Sequence, residues 1–324
     1  MSSPERFLVT GAMGCIGSWV IRLLLEEGTE VVAFDLSDDR RRPRLLVSDG
    51  QLDEVAFLRG DITDTEGVSE TIRQRRISHV IHLAALQVPF CRADPVGGAR
   101  VNVVGTLNVF EAVRALDRPV GITYASSVAV FGPADGYPDG RVGDDSPTAP
   151  TTLYGAYKQA NEWTARIYAQ DYGIGSVGLR PAIVYGVGRD QGLTSGATKA
   201  MLAAAAGRPF HIPHGGRSVF QYAPDVARLF ITAARSRPPG AEVLNVGGSH
   251  VDVAEVVAAI EKAVPDARIT HEETPLSFPE GMDAAGAEGL LGPVTYTPLS
   301  EGVGETIEQF QRLLEQGVVA PEID

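Results

Sequence analysis

The chain has 324 residues, enough for about two domains or one large two-lobed unit at roughly 100–200 residues per domain. Apolar residues make up 44% and charged residues 21%, which is ordinary globular usage and excludes a disordered, collagen-like or coiled-coil chain. With 28 basic and 41 acidic residues the formal net charge is −13, so nucleic acid and anionic membrane surfaces are disfavoured as partners.

Short β-rich runs alternate with longer segments of helical period, as in βαβ units. The predicted strands are Phe7–Thr10, Val31–Phe34, Val55–Leu58, His79–Leu83, Val120–Ala125, Ser176–Leu179 and Val243–Val246. Helices are predicted after the first strand, around Val68 and Ile72, across Val101–Val113, and over Thr152–Tyr172, Ala197–Ala206 and Asp225–Ala234, with a loop at Asp38–Arg44. The alternation predicts an α/β fold with a doubly wound parallel sheet of the Rossmann type.

After Arg180 the regular alternation of strands and helices gives way to a loop-like stretch and a helix of small residues, which predicts two units. We expect a Rossmann domain over residues 1–180, to which residues 216–248 return, and a smaller, mostly helical C-terminal substrate lobe over residues 181–324. Cys15 and Cys91 lack the spacing of a zinc site or disulfide framework, so we expect no metal and a reducing, cytoplasmic location. No apolar run approaches the ~18 residues of a membrane span.

A glycine-rich turn follows the first predicted strand. Gly11, Gly14 and Gly17 allow a tight turn whose backbone approaches a pyrophosphate at the start of the next helix. Asp35 ends the second strand 18 residues after Gly17, near the offset at which a carboxylate reaches the adenosine ribose. A carboxylate there favours NAD over NADP, although Arg40–Arg42 could serve a 2′-phosphate, and Asp35 could also be a solvated residue.

Tyr154 and Lys158 lie four residues apart on a predicted helix, so both side chains face the same site. An ammonium beside a phenol stabilises the phenolate and lowers the phenol's pKa, which suits a general acid or base. Such a pair also occurs by chance on helix surfaces. Tyr157 is the competing tyrosine, but it points to another face of the helix.

In this setting the chain resembles the extended branch of the short-chain dehydrogenase/reductase superfamily, the NAD-dependent epimerase/dehydratase family. The segments that carry the resemblance cover the first ~190 residues densely and come in the same order: Val9–Gly17, Asp35, Gly60–Ile62, His82–Ala85, Asn102–Thr106, Ala125–Gly132, Tyr154–Lys158 and Leu179–Gly186. The resemblance implies an enzyme with bound NAD and a homodimer joined through the helices near Val101–Ala115 and Thr152–Tyr172.

The resemblance also implies roles for individual residues. Ser127 matches the catalytic hydroxyl, with Ser126 as the second candidate, while Tyr154 is the acid/base and Lys158 lowers its pKa and binds the nicotinamide ribose. His82 is expected to be structural. The cofactor-binding residues implied by the glycine motif and the other matching segments are Gly11, Gly14, Cys15, Ile16, Gly17, Asp35, Asp61, Ile62, Leu83, Ala84, Asn102, Tyr154 and Lys158.

The sequence departs from the family where nucleotide-sugar members hold the substrate phosphate. An expected Asn after the sixth strand is missing, and Arg217 is displaced by one position in a pattern whose Asp is absent. Val128 and Ala129 stand where sugar 4,6-dehydratases carry Asp-Glu, so dehydration is not expected. The substrate-binding candidates are Gln87, Ser127, Arg189 and Arg217, and the two arginines together match a carboxylate or phosphate.

The leading prediction is therefore an NAD-dependent enzyme that transfers hydride at a secondary alcohol or ketone carbon of a sugar-like substrate. A sugar epimerase and a sugar or polyol dehydrogenase both satisfy this prediction. The alternative is a non-catalytic NAD sensor or scaffold on the same fold. The set Ser127, Tyr154 and Lys158 favours the enzyme, because a sensor does not need it.

Overall fold

The computed structural model describes residues 4–320. Its strands are β1 Arg6–Thr10, β2 Glu30–Asp35, β3 Ala56–Arg59, β4 His79–His82, β5 Gly121–Ala125, β6 Arg141–Val142, β7 Ser176–Arg180, β8 Ile183–Tyr185, β9 Phe210–Ile212, β10 Arg217–Tyr222, β11 Ala241–Asn245, β12 Ser249–Asp252, β13 Ile269–His271 and β14 Gly281–Met282. Its helices are α1 Cys15–Glu26, α2 Arg41–Arg44, α3 Asp49–Leu52, α4 Thr65–Gln74, α5 Val88–Ala93, α6 Pro95–Ala99, α7 Gly105–Arg114, α8 Leu153–Tyr172, α9 Gly196–Ala205, α10 Ala223–Ser236, α11 Val253–Ala263, α12 Ala285–Leu291 and α13 Leu299–Glu315. Within this range no helix is both long and apolar enough to span a bilayer.

Seven parallel strands form the main sheet in the order β11-β7-β5-β4-β1-β2-β3. The chain runs outward from β1 to β3 and then returns to place β4 on the other side of β1. Ligands of open α/β sheets bind where the strand order reverses in this way, outside the carboxyl ends of the strands. The predicted doubly wound Rossmann sheet is confirmed, and its topology sets the position of the cleft.

Apolar side chains cover both faces of this sheet. Along β1, Phe7 and Val9 face a core formed with α1, α9, α10, α11 and α13, while Leu8 faces a second core formed with α4, α7 and α8. The alternation follows from the two-residue period of a strand. Burying one such Leu or Phe side chain stabilises the fold by about 1.5–3 kcal/mol, so both helical layers are firmly attached to the sheet.

Two local expectations differ from the structure. The predicted loop Asp38–Arg44 contains one helical turn, α2, because the backbone amide and side chain of Arg41 bond to Asp39 and start the turn. The predicted long helix across Val101–Val113 is interrupted by a π-helical turn, Arg100–Val104, in which an extra residue is accommodated before α7.

The residues after Arg180 contribute to more than one sheet. Strands β12, β10 and β8 form a separate three-stranded sheet, whereas β11, from the predicted returning segment, pairs with β7 at the edge of the main sheet. The boundary between residues 1–180 and 181–324 stays a prediction. Residues 1–3 and 321–324 of those two predicted ranges lie outside the described residues.

A buried ion pair joins α8 to the main sheet. The guanidinium of Arg180, at the end of β7, donates from Nε and Nη2 to the two carboxylate oxygens of Glu162 on α8, each at 2.8 Å. Both side chains are at least 96% buried. Ser126, just after β5, donates to the same carboxylate. Helix α8 is therefore fixed against the carboxyl ends of β5 and β7.

Candidate active site

A cleft of about 670 Å³ opens at the carboxyl ends of β1 and β4, within the usual size range of small-molecule sites. Its walls come from the turn after β1, the ends of β2 and β4, the segment after β5, and α8. The predicted cofactor-binding residues that line it are Gly11, Gly14, Cys15, Ile16, Gly17, Asp35, Asp61, Ile62, Leu83, Ala84, Tyr154 and Lys158.

At the glycine turn, backbone atoms without side chains line the cleft. Gly11 has a φ of +67°, and a Cβ atom there would lie 2.7 Å from the backbone nitrogen of Ala84. A Cβ atom on Gly17 would lie 2.5 Å from the carbonyl oxygen of Gly11. Only glycine fits these two positions, and the amides at the start of α1 are left facing the cleft, where they suit a pyrophosphate.

Asp35 connects the end of β2 to this turn. Its carboxylate accepts hydrogen bonds from the backbone amides of Met13 and Ser37, each at 2.9 Å. The carboxylate lines the cleft, so it is held where a ribose diol can donate to it. These bonds orient the negative charge and leave acceptor capacity for a ligand.

The three arginines that could have served a 2′-phosphate have other partners. Arg40 stacks on the ring of Phe57, with its guanidinium carbon 3.8 Å from the ring centroid, and Arg41 pairs with a neighbouring aspartate. Arg42 pairs with Asp190 at 2.8 Å and donates to a carbonyl oxygen of the glycine turn. The arrangement favours a cofactor without a 2′-phosphate, as the position of Asp35 predicts.

Asn102 does not line the cleft. Its side-chain amide donates to the carbonyl oxygens of Leu86 and Gly98, both at 3.0 Å, and lies 3.3 Å from the Cys91 sulfur. The predicted role of Asn102 in cofactor binding stays a prediction. Asn102 ties the π-helical turn to the loop after β4, and that loop forms one wall of the cleft.

Ser127, Tyr154 and Lys158 come together beside the cofactor wall. Helix α8 begins at Leu153 because the Thr152 hydroxyl accepts from the backbone amide of Gly155 at 3.0 Å. Tyr154 and Lys158 follow on one face, with the Lys158 Nζ 5.6 Å from the centroid of the Tyr154 ring. Ser127 caps the short helical turn that follows β5, its hydroxyl accepts from the backbone amide of Ala129 at 3.1 Å, and it lines the cleft together with Tyr154.

The two alternative side chains are used elsewhere. The Ser126 hydroxyl donates to Glu162 within the buried network, so it is not available to a reacting oxygen. The Tyr157 hydroxyl donates to the carbonyl oxygen of Pro95 at 2.9 Å and faces α6. His82 bonds to Thr10 on β1 and to Thr106 on α7, and burial lowers its pKa to about 3, as expected of a structural histidine.

Burial is the largest cause of the pKa shifts of both Tyr154 and Lys158. It raises the pKa of Tyr154 above its ordinary value, although the hydrogen bond with Ser127 and the charge of Arg189 act in the opposite direction. The sequence predicted a lowered value through Lys158, but desolvation outweighs the lowering contributions. Burial also lowers the pKa of Lys158 to about 8, and its Nζ donates to the carbonyl oxygen of Ala125 at 2.7 Å.

The substrate candidates separate into two groups. Gln87, Ser127 and Arg189 line the cleft. Arg217 does not: its guanidinium lies at the start of β10, 3.5 Å from Glu255 and bonded to the carbonyl oxygen of His250. The predicted joint anion site of Arg189 and Arg217 is therefore not formed. Sequence reasoning placed both arginines in loops and had no signal for the partner that holds Arg217.

Sequence reasoning missed the pairing of Arg42 with Asp190. These residues lie 148 positions apart and connect α2 to the loop before α9. Phe278, which also lines the cleft, was missed as well. Neither feature has a local signal, because each depends on how distant segments meet.

Comparisons with known proteins agree with this geometry. Residues 7–247 match the family described as the NAD dependent epimerase/dehydratase family. The chain is 30% identical to a UDP-glucose 4-epimerase of Mycolicibacterium smegmatis, with 94% of this chain and 98% of that protein covered. The NAD complex of UDP-glucose 4-epimerase from Thermus thermophilus is 28% identical with a TM-score of 0.80, covering 95% of this chain and 99% of that one. L-threonine dehydrogenase from Clostridium difficile, at 22% identity, TM-score 0.83 and coverage of 98% and 100%, shares the fold.

Replacing Asp35 tests the cofactor preference. We expect Asp35→Asn to bind NAD about tenfold more weakly, because the charged acceptor for the ribose diol is lost, and to discriminate less against NADP. Fluorescence titration with both cofactors measures this. Asp38→Asn, an exposed carboxylate in the same loop, is the matched control. An unchanged ratio of the two dissociation constants in Asp35→Asn would contradict the assignment.

The buried amine of Lys158 makes stability depend on pH. Its pKa is about 8 in the folded chain and near 10.5 when exposed, so between these values the unfolded state binds the extra proton. The free energy of unfolding then rises with pH, at a limiting slope of about 1.4 kcal/mol per pH unit. In urea unfolding from pH 7.5 to 10, the free energy of unfolding of wild type should rise relative to that of Lys158→Met. A constant difference between the two proteins would refute this.

Proposed function

The chain belongs to the NAD-dependent epimerase/dehydratase family, and from that premise we propose that Ser127, Tyr154 and Lys158 carry hydride exchange at a secondary alcohol of a sugar-like substrate. The observation that carries the proposal is the convergence of these three side chains on the cleft that also contains the glycine turn and Asp35. The chain is an NAD-dependent enzyme, so the sensor or scaffold alternative is set aside.

Each of the three side chains has a distinct task. The glycine turn and Asp35 would hold NAD, which would supply a hydride acceptor for the alcohol carbon and, as NADH, a hydride donor for a ketone carbon. Tyr154 takes the hydroxyl proton as the carbon is oxidised and donates it back in the reverse direction. Ser127 holds the substrate oxygen and the Tyr154 hydroxyl in line. Lys158 supplies positive charge beside the phenolate and would bind the nicotinamide ribose of NAD.

Hydride exchange at the alcohol carbon can lead either to epimerisation or to net oxidation or reduction, and different observations favour each reaction. A nucleotide-sugar 4-epimerase is favoured by the relatives, since a UDP-glucose 4-epimerase aligns along nearly the whole chain. A net dehydrogenase or reductase is favoured by the departures from the nucleotide-sugar pattern. Ile183 is buried where that pattern has Asn, and Arg217 is engaged by Glu255. We favour net oxidation or reduction of a substrate without a nucleotide.

Dehydration has no support in the site. Val128 and Ala129, at the positions of the dehydratase acid pair, are each 4% exposed and make up part of an apolar turn. Neither can donate or accept a proton. The ketone formed by oxidation is therefore either reduced again or released.

We also propose a homodimer and a cytoplasmic location. Large apolar side chains are exposed along α6, the π-helical turn and α8, at Val96, Val104, Leu153, Trp163 and Ile167. An exposed apolar patch of this kind is typical of a protein interface. The two cysteines are free thiols, which suits a reducing compartment.

Replacing the tyrosine hydroxyl tests the mechanism. Tyr154→Phe should lower kcat by about 10²–10⁴-fold, because proton transfer is lost, while the dissociation constant for NAD stays within about twofold. NADH formation and chromatography of the products measure turnover and separate ketone release from epimer formation. Tyr157→Phe is the matched control and should keep its activity. Full turnover in Tyr154→Phe would exclude the proposed mechanism.

A further inference from the structure

Arg189 is a cationic side chain in the cleft without an acidic partner among the described residues. It lies in the loop between β8 and α9, and its Nη2 donates to the hydroxyl of Thr194 at 3.0 Å. Its Nε is buried and has no hydrogen-bond partner within residues 4–320. Leaving a buried donor of a charged group unpaired costs free energy unless a ligand completes the pairing.

The nearby carboxylates are already engaged. Asp190, the next residue, pairs with Arg42, and Asp35 accepts from the amides around the glycine turn. In the part of the chain that the structure describes, no carboxylate lies within ion-pair distance of the Arg189 guanidinium, whereas Arg42 and Arg217 each have one. Arg189 is thus an arginine of the cleft whose charge is left for a ligand.

Arg189 shares its part of the cleft with Gln87. Arg189 and Gln87 converge around Gly192, where an added Cβ atom would collide with the Gln87 amide and lie 3.3 Å from Nη2 of Arg189. Arg189 also acts electrostatically on Tyr154, since it opposes the rise in the pKa of that tyrosine. Arg189 and Tyr154 line the same cleft, so an anion bound to Arg189 shares that cleft with the reacting hydroxyl.

The number of available cations limits the anion. Arg217 was the second candidate cation for a substrate phosphate, but it lies outside the cleft and is paired with Glu255. A single planar guanidinium matches a single carboxylate, with parallel hydrogen bonds. A phosphate monoester shares this oxyanion chemistry and is separated from a carboxylate by the experiment below.

We propose that Arg189 binds a carboxylate on the substrate itself, so that the substrate is a polyhydroxy acid such as a sugar acid. The inference rests on the proposed hydride exchange and specifies its substrate class. Gln87 then contacts a hydroxyl next to the carboxylate, and the acid group selects which secondary alcohol faces Tyr154 and Ser127.

Matched pairs of acids and alcohols test the proposal. Aldonates and uronates of four to six carbons are compared with the corresponding alditols and sugars, with their phosphate monoesters, and with UDP-glucose, by NADH formation and by calorimetric binding to the NAD-loaded enzyme. We expect at least one acid to exceed its neutral partner by tenfold or more in kcat/KM. Equal use of acids and neutral partners, or stronger use of the phosphate monoesters or UDP-glucose, would overturn the proposal.

Variants of the arginine give a second readout. Arg189→Met should lower kcat/KM for the acid by about 10- to 100-fold, and by a much smaller factor for the neutral partner, which loses only the electrostatic effect of Arg189 on Tyr154. Arg189→Lys should recover part of the loss, and Arg217→Met should behave as wild type. An equal loss for acid and neutral partner in Arg189→Met would show a structural role and contradict the proposal.

Binding measurements distinguish failure of the carboxylate site from failure of the proposed hydride exchange. If an acid binds to wild type and not to Arg189→Met, but no hydride is transferred, the carboxylate site stands and the proposed reaction fails. If hydride is transferred only with neutral or phosphorylated substrates, the proposed reaction stands and the carboxylate site fails. If no acid in the set binds more tightly than its neutral partner, the carboxylate site is refuted.

Discussion

The buried pair of Arg180 and Glu162 is the constraint on which the site depends. Two parallel hydrogen bonds join β7 to α8 in a nearly water-free environment, and Ser126 adds a third bond from the end of β5. Tyr154 and Lys158 are carried by α8, and Ser127 follows Ser126 directly. One charged cluster therefore fixes the relative positions of side chains that come from two separate parts of the chain.

The cofactor half of the cleft is fixed by a different means. There the backbone itself is shaped, because Gly11 and Gly17 permit contacts that any Cβ atom would prevent, and Asp35 bonds to the turn it helps to form. The part of the cleft near Tyr154 depends on charged groups. These are the Arg180–Glu162 pair, the buried amine of Lys158, and the Arg189 guanidinium, which has no carboxylate partner within residues 4–320. Desolvation lowers the pKa of the Lys158 amine, and burial strengthens the interaction of charged groups with a ligand.

Local patterns predicted much of this architecture, and contacts between distant segments account for the rest. The parallel sheet, the glycine turn and the spacing of Tyr154 and Lys158 depend on a few neighbouring residues, so their predicted positions agree with the structure. The partners of Asn102 and Arg217 come from separate segments, so local patterns gave no signal for them. The pKa of Tyr154 was misjudged for a similar reason, since burial is a property of the whole fold. The ion pair of Glu162 went unnoticed, because a glutamate on a helix is usually solvated.

The free energy of unfolding of Glu162→Gln, from urea denaturation, tests the central claim most directly. The substitution keeps the side-chain shape but leaves the Arg180 guanidinium buried without a counter-charge, so we predict a loss of about 3–5 kcal/mol. Glu54→Gln, an exposed glutamate, is the matched control and should change little. A loss below about 1 kcal/mol in Glu162→Gln would contradict the account, because the pair would then not be what holds α8 against the sheet.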